Sequence, residues 1–549
     1  MGDPGPGNCN CIDLTPAGAP VVYQVYPRSF MDGNGDGIGD LRGIIARLDH
    51  LAWLGVDALW LSPIQRSPDR DFGYDIADYC DVDPRYGTLA DFDALVAACR
   101  ERGLGVILDG VFNHTSDQHP WFTASRSSRD GPKADWYLWR DRPNNWASTF
   151  GGSAWTWSEE RRQHYLHSFL AEQPDLNWRN PAVVAAIEEV LRFWLARGVA
   201  GFRLDVFNCY LKHADLPDNP RTWNPAGLLY RYIGQRHVHD RDQPDLHAVL
   251  AWLRRVVDEA PGRLLVGETL DEDRRYRRAG AYCGPGPDRL HLAFNFHLLR
   301  SRWSAPAFRQ AITTWTNAVD PDGMPTWVLS NHDFPRHASR WGGRWPDARA
   351  HLAAILSLTL RGVPFLYYGE ELGMQEARLA RAEIQDPVGR RFWPFHRGRD
   401  GCRTPMQWDN TPNAGFSAGT PWLPLHPDHA TRTVAIQAGD PSSVLSTYRA
   451  LIALRRRLPV LRRGRQLWGP AHPHVLSWGR ALAPEGPAEL EVVLNMSPTR
   501  QDLAPGRVAR RVLFGTHRAA GEDFPLTGGA LAPHEGLVLG DERLEVERR

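Results

Sequence analysis

The stretch "GFRLD", residues 201–205, places Arg203 and Asp205 two positions apart at the end of an apolar run. In a strand, residues i and i+2 share a face, so both side chains point to the same side of a sheet. A guanidinium within hydrogen-bonding reach keeps a carboxylate ionised, which makes Asp205 a candidate nucleophile. Glu268 closes another apolar run, "RLLVGE", with no cation beside it in sequence. Desolvation there favours the protonated carboxyl, as a general acid requires. Two carboxyl groups with opposed proton demands are what glycosidic-bond cleavage uses: one attacks the anomeric carbon while the other protonates the leaving oxygen. A separation of ~5–5.5 Å would retain the anomeric configuration by way of a covalent glycosyl-enzyme.

A lone "RLD" reads most simply as a structural ion pair. Asp109 in "LGVILDG" and Asp333 in "TWVLSNHD" close further apolar runs, however, and four such carboxylates argue for one shared site. His114 in "FNH" and His332 in "SNHD" trail two of these runs, where an imidazole can donate to a sugar hydroxyl. A separate signal is "DGNGDGIGD", residues 32–40. Asp32, Asn34, Asp36 and Asp40 alternate with glycines, the main-chain oxygen of Ile38 fills the gap, and the spacing matches the oxygen-rich start of an EF-hand loop. Position twelve is Gly43 rather than glutamate, so the expectation is a one-loop structural Ca²⁺ or Mg²⁺ site and not a full EF-hand.

Such residues need a scaffold that gathers strand ends. Eight apolar runs, from "VVYQVYP" and "VDALWLSP" through "LHLAFNF" to "VPFLYYGEE", alternate with helical patterns such as "LADFDALVAACRERG" and "PAVVAAIEEVLRFWLARG". Strand and helix repeated eight times predict an α/β fold, a (β/α)₈ TIM barrel with its active site at the C-terminal strand ends. Residues 1–113 and 178–470 read as the barrel. Residues 114–177 read as an excursion domain after the third strand, and about 371–420 as a subdomain after the eighth. Alternating runs such as "LEVVLNMS" mark a C-terminal β-sandwich over 471–549.

A formal net charge of zero over 549 residues gives no reason to expect nucleic acid or an anionic membrane as partner. No apolar stretch reaches the ~20 residues of a membrane span, and the first twenty residues lack the apolar centre of a secretion signal, so a cytoplasmic location is expected. Seven scattered cysteines, with "CNC" at 9–11, read as reduced thiols and not as a disulfide or zinc framework. The 22 tryptophans allow for stacking on sugar rings, although most aromatic residues serve the core. Length and composition leave monomer and homodimer both open.

"DGVFNH", "GFRLD", "VGE" and "SNHD" resemble, in order and spacing, the four signature regions of the α-amylase superfamily, family 13 of the glycoside hydrolases. "VVYQVYPRSFMDGNGDGIGDLRGI", "FGYDIADY", "QPDLNW" and "RTPMQW" are similar to its α-glucosidase and oligo-1,6-glucosidase branch. The resemblance implies a retaining, exo-acting α-glucosidase that releases terminal α-glucose from short oligosaccharides. It implies Asp205 as nucleophile, Glu268 as acid/base and Asp333 as the carboxylate holding the 2- and 3-hydroxyls. Asp109, His114, Arg203 and His332 match positions that line the same subsite. Tyr74 would stack beneath the ring, and Asp71 would pair with Arg403 to grip the 4-hydroxyl and close the pocket. The family's metal loop corresponds to residues 32–40. Gln173 of "QPDLN" and Val206 after the nucleophile resemble members that favour α-1,6 bonds. Phe334 and Phe72 depart from the pattern, where glutamine and asparagine are frequent; in the family both lie near the acceptor side, so transglycosylation onto apolar acceptors is an expectation. A transglucosidase or a sucrose or maltose isomerase is the runner-up on this scaffold. A transporter's ancillary subunit would need a membrane anchor and would usually lose the carboxylates, and a metal-dependent lyase would lose activity with a chelator.

Overall fold

The apolar runs become eight short parallel strands in the computed structural model, which describes residues 13–228, 230–270, 277–503, 510–525, 529–540 and 544. They are β1 (Val22–Val25), β2 (Ala58–Leu61), β3 (Gly105–Gly110), β4 (Gly201–Leu204), β5 (Leu264–Gly267), β6 (Leu292–Ala293), β7 (Thr326–Val328) and β8 (Val363–Tyr367). They pair in the order β6-β5-β4-β3-β2-β1-β8-β7. The end strands β6 and β7 are tied by the Thr326 hydroxyl, which donates to the Ala293 carbonyl oxygen at 2.7 Å and closes the barrel. Because helices cover the outside and side chains fill the inside, the strands are apolar on both faces. Val22, Ala58, Trp60, Ile107, Leu264, Val266 and Phe365 are among those packed in the interior.

Local sequence fixes how the chain enters the strands that matter. The helix Leu89–Glu101 starts at a capping box, with the Thr88 hydroxyl accepting from the Asp91 N–H while Asp91 accepts from the Thr88 N–H. The helix Pro181–Ala196 starts at Asn180, whose side chain accepts from the Ala182 N–H, and is followed by Gly198 at φ 89° before β4.

After β3 the chain makes a short helix, Pro120–Ser127, and a three-stranded antiparallel sheet of Trp139–Arg140, Gln163–Leu166 and Trp155–Ser158. After β8 come short helical segments, among them Pro387–Phe392 and Asp400–Cys402. The C-terminal region is a six-stranded antiparallel sheet with a separate two-stranded ribbon, Gln501–Asp502 with Ala530–Leu531. Its first strand, Arg465–Trp468, precedes the boundary expected at 471, because "RQLW" is half-buried throughout and carries no alternation to announce it. Cys80, Cys99, Cys209, Cys283 and Cys402 are free thiols, and Cys9 and Cys11 lie outside the described residues. Among the described residues no helix is long and apolar enough to cross a membrane.

Candidate active site

The register of the barrel puts Arg203 of β4 opposite Asp109 of β3 and Val266 of β5. From there its guanidinium reaches three carboxyl groups. It donates to Asp109 at 2.6 Å, to Asp205 at 2.8 Å and, through its other terminal nitrogen, to Glu268. Sequence proximity showed only the Asp205 pair; the cation that Glu268 lacks in sequence comes to it from the neighbouring strand. One positive charge cannot neutralise three carboxylates. Burial, reinforced by the charges of Asp205, Asp333 and Asp109, therefore pushes Glu268 up to about 8 against the pull of Arg203. Burial likewise lifts Asp109 to about 7. Asp109 also accepts from the Tyr74 hydroxyl at 3.0 Å and from the Trp60 indole at 3.3 Å.

A second cluster forms around Asp333. Arg399 and Arg403 each donate to its Oδ1 at 3.1 Å, and His332 Nε2 lies 3.3 Å from its Oδ2. Burial opposes the charge on Asp333, but His332 and the arginines Arg399, Arg403 and Arg203 outweigh it and hold the group well below the usual carboxylate range. Burial pushes His332 down to about 3. Its ring stacks on Tyr74 with centroids 5.3 Å apart and touches the Tyr74 hydroxyl at 2.7 Å.

The expected Asp71–Arg403 pair is corrected here: Asp71 pairs with Arg399 at 2.6 Å. Arg403 instead donates to the His332 carbonyl oxygen and to Asp333. The helical turn Asp400–Cys402 separates the two arginines and brings both to Asp333, but only Arg399 extends on to Asp71 and to Asp386, at 2.7 Å. In "HRGRDGCRTPMQW" the sequence offers three arginines and no means of choosing between them.

Strained backbone aims the groups. Val206, directly after Asp205, sits at φ 35°, ψ 42°, a left-handed conformation that costs a β-branched residue ~1–3 kcal/mol. On the other side, Asp69, Phe72 and Gly73 all have positive φ. That loop is held by Asp75, buried and pushed up to about 6 by desolvation, which accepts from the backbone of Arg70 and Asp71 and from Ser67. Its product is the exposure of Asp71 and Tyr74 toward a cavity of about 350 Å³.

Asp71, Tyr74, His114, Gln173, Asp205, Val206, Glu268 and Asp333 line this cavity. Asp109, Arg203, His332 and Arg403 were expected to line it too but stand directly behind, each at most 1% exposed, because they spend their polar atoms bracing the lining groups. Phe334 lines the mouth, against Phe296 and beneath Arg300. Phe72 does not: it packs on Trp422 between Arg28 and Arg403. Arg399, Phe150, Phe169, Tyr230 and Tyr232, which line the cavity, and the buried Asp386 that pairs with Arg399 behind it are not marked in the sequence, since nothing in composition or local spacing points them there.

The 32–40 loop contributes nothing to the cavity. Both oxygens of Asp32 accept from the backbone of Asn34, Gly35 and Gly37 and from Ser417, and Asp40 accepts from the Gly33 and Gly43 N–H groups as a helix cap. Asn34 donates to Asp36 at 3.1 Å. The donor set is all oxygen, and the charges of Asp32 and Asp36 add to the burial that raises Asp40, which fits a hard cation. Among the described residues, no group of three His, Cys, Asp or Glu side chains stands gathered as a metal-binding set.

Residues 24–464 match the family described as alpha amylase, catalytic domain. A "Probable alpha-glucosidase" of Rhizobium meliloti is 49% identical over 458 residues, which are 81% of this chain and 83% of that protein. An "Oligo-1,6-glucosidase" of Parageobacillus thermoglucosidasius is 38% identical over 514 residues, 87% of this chain and 90% of its own. Among solved structures, the α-glucosyl transfer enzyme XgtA superposes with a TM-score of 0.88 at 42% identity, covering 97% of this chain and all of the other.

Proposed function

The chain belongs to the α-amylase family of glycoside hydrolases, and from that premise we propose that the cavity takes one terminal glucosyl unit, with Asp205 as nucleophile and Glu268 as acid/base. The protein is an α-glucosidase that acts on short oligosaccharides or glucosides. One observation carries the reading of the site: a single guanidinium joins Asp205 and Glu268, in a place where burial pushes the Glu268 carboxyl up and so favours its protonated form. Carboxyls sharing one guanidinium suit the close pair of a retaining enzyme better than the ~6.5–9.5 Å gap of an inverting one.

In the first step a carboxylate oxygen of Asp205 bonds to the anomeric carbon, the glycosidic C–O bond breaks, and the Glu268 proton passes to the leaving oxygen. In the second, the Glu268 carboxylate takes a proton from water, whose oxygen displaces Asp205. The flanking carboxylates stabilise the oxocarbenium-like charge that develops in the transition state of each step. Asp333, kept ionised, accepts from two ring hydroxyls, and the Asp71–Arg399 pair closes the far end of the pocket.

An acceptor alcohol can replace water in the second step. The apolar mouth of Phe296, Phe334, Phe150 and Phe169 supports partial transfer onto apolar acceptors, and Val206 in the wall supports α-1,6 bonds among the substrates. The 32–40 loop is assigned a structural Ca²⁺ or Mg²⁺, held by Asp32, Asn34, Asp36, Ile38 and Asp40; when bound it supplies rigidity and no chemistry. Metal analysis of purified protein and a fall in melting temperature with chelator test that assignment. A cytoplasmic location accords with the free thiols.

Maltose, isomaltose, sucrose and p-nitrophenyl α-glucoside, followed by NMR, test the reading as a whole. Glucose appearing first as the α-anomer is expected. First-formed β-glucose, or sucrose turned mainly into an isomer, would overturn it.

A further inference from the structure

Lys212 lies outside the cavity, yet its ammonium is the start of a chain of one-way hydrogen bonds that ends in the cavity wall. An ammonium has three N–H groups and no acceptor. Here all three are used: on Asp175 at 2.7 Å, on Asn113 Oδ1 at 2.9 Å, and on the Cys209 carbonyl oxygen. The side chains of Lys212 and Asp175 are 1% and 0% exposed, so water does not compete.

Because Lys212 can only donate, Asn113 must turn its carbonyl oxygen to it. The Asn113 amide then faces His114 Nδ1 at 3.2 Å as a donor. Nδ1 must accept, which leaves the imidazole proton on Nε2, and Nε2 donates to the Tyr74 carbonyl oxygen at 2.9 Å. That oxygen takes its second hydrogen from Gln173 at 3.1 Å. The other hydrogen of the Gln173 amide goes to Asp71 at 3.4 Å, so the amide nitrogen, although 3.3 Å from His114 Nε2, has none left for it, and the Gln173 carbonyl oxygen accepts from the Leu170 N–H at 3.0 Å. With the proton on Nδ1 instead, two lone pairs would face each other at Tyr74.

We propose that Lys212 is a positioning residue: through Asn113 it fixes the tautomer of His114, and so holds Tyr74 and Gln173 in the wall that receives the glucosyl ring. This rests on the reading of the cavity as the glucose pocket. The plainer view is that the Lys212–Asp175 pair merely pins "QPDLN" to the turn after β4.

A neutron structure of the deuterated protein separates them without reference to activity. A deuteron on His114 Nε2 and none on Nδ1 is expected, and a deuteron on Nδ1 overturns the proposal. Kinetically, Asn113→Asp keeps a partner for Lys212 but can only accept, so it draws the His114 proton to Nδ1. Expected is a fall of roughly 10- to 100-fold in kcat/KM for p-nitrophenyl α-glucoside with far-UV circular dichroism and melting temperature kept. Full activity in a folded Asn113→Asp protein overturns the proposal. Should that variant not fold, Lys212→Arg, still a pure donor, is expected to retain more activity than Lys212→Met at matched folded fraction; equal activities count against the relay. A wild-type protein without glucosidase activity would defeat the functional reading and leave the neutron result to judge the relay.

Discussion

Two arginine-centred clusters border the cavity, and they differ in how cations are shared among carboxylates. At the ends of β3, β4 and β5, Arg203 alone serves Asp109, Asp205 and Glu268. On the opposite flank, Arg399 and Arg403 together serve Asp333, and Arg399 also reaches Asp71 and Asp386. In the first cluster cations are scarce, so burial wins and Glu268 stores a proton up to about pH 8. In the second they are plentiful, and Asp333 and Asp386 fall below the ordinary carboxylate range despite burial. A carboxyl group thus becomes a proton donor in one place and a lasting acceptor in the other, according to the balance of burial against nearby guanidinium groups; Asp71, which shares Arg399 with Asp333 and Asp386, is still raised by burial.

The largest effects should come from removing the reacting groups of the cation-poor cluster. Asp205→Asn and Glu268→Gln are each expected to lower kcat for p-nitrophenyl α-glucoside on the order of 10⁴-fold or more, because the bond-forming oxygen or the transferable proton is gone. Near-normal turnover in either would remove the basis of the comparison. Next comes Arg203→Met, which leaves three buried carboxyl groups with no cation. A loss of roughly 10³-fold and a lower melting temperature are expected, and a variant within tenfold of wild type would show that the fork does not organise the pair.

The cation-rich cluster sharpens the contrast. Arg399→Met is expected to cost roughly 10²-fold in kcat/KM, largely through KM, since Asp71 and Asp333 both lose a partner. Arg403→Met should cost less, because Asp333 keeps Arg399. The reverse order would restore the Asp71–Arg403 pairing that the sequence pointed to. Smallest is the pH dependence. Catalysis needs Glu268 protonated, so kcat/KM should hold through neutral pH and fall about tenfold per unit above pH 8. Folded Glu268 also binds its proton more tightly than the ordinary value of 4.5, so its contribution to stability is complete below that pH and is lost as pH rises through about 8. A steeper pH dependence of melting in wild type than in Glu268→Gln checks that sign.

The sequence carried most of the barrel and the cation-poor cluster, for a physical reason. Strand ends are local: Asp109, Asp205 and Glu268 each close an apolar run, and the period of two brings Arg203 to the same face as Asp205. The sharing of Arg203 with Glu268 was invisible, because it depends on the register between β4 and β5. The cation-rich cluster was harder to read, since Arg399 reaches Asp71 across 328 positions of chain and "HRGRDGCRTPMQW" has no periodic pattern. Likewise, Tyr230 and Phe150 reach the cavity from irregular segments whose placement follows from tertiary packing alone.

Trapping of the glucosyl-enzyme addresses the central claim most directly. The protein would be treated with a fluorinated α-glucosyl fluoride that slows the second step, digested, and mapped by mass spectrometry. A single added fluoroglucosyl group on Asp205 is the expected result. The group found on Glu268 or on Asp333, or β-glucose released from an unlabelled enzyme, would contradict the account.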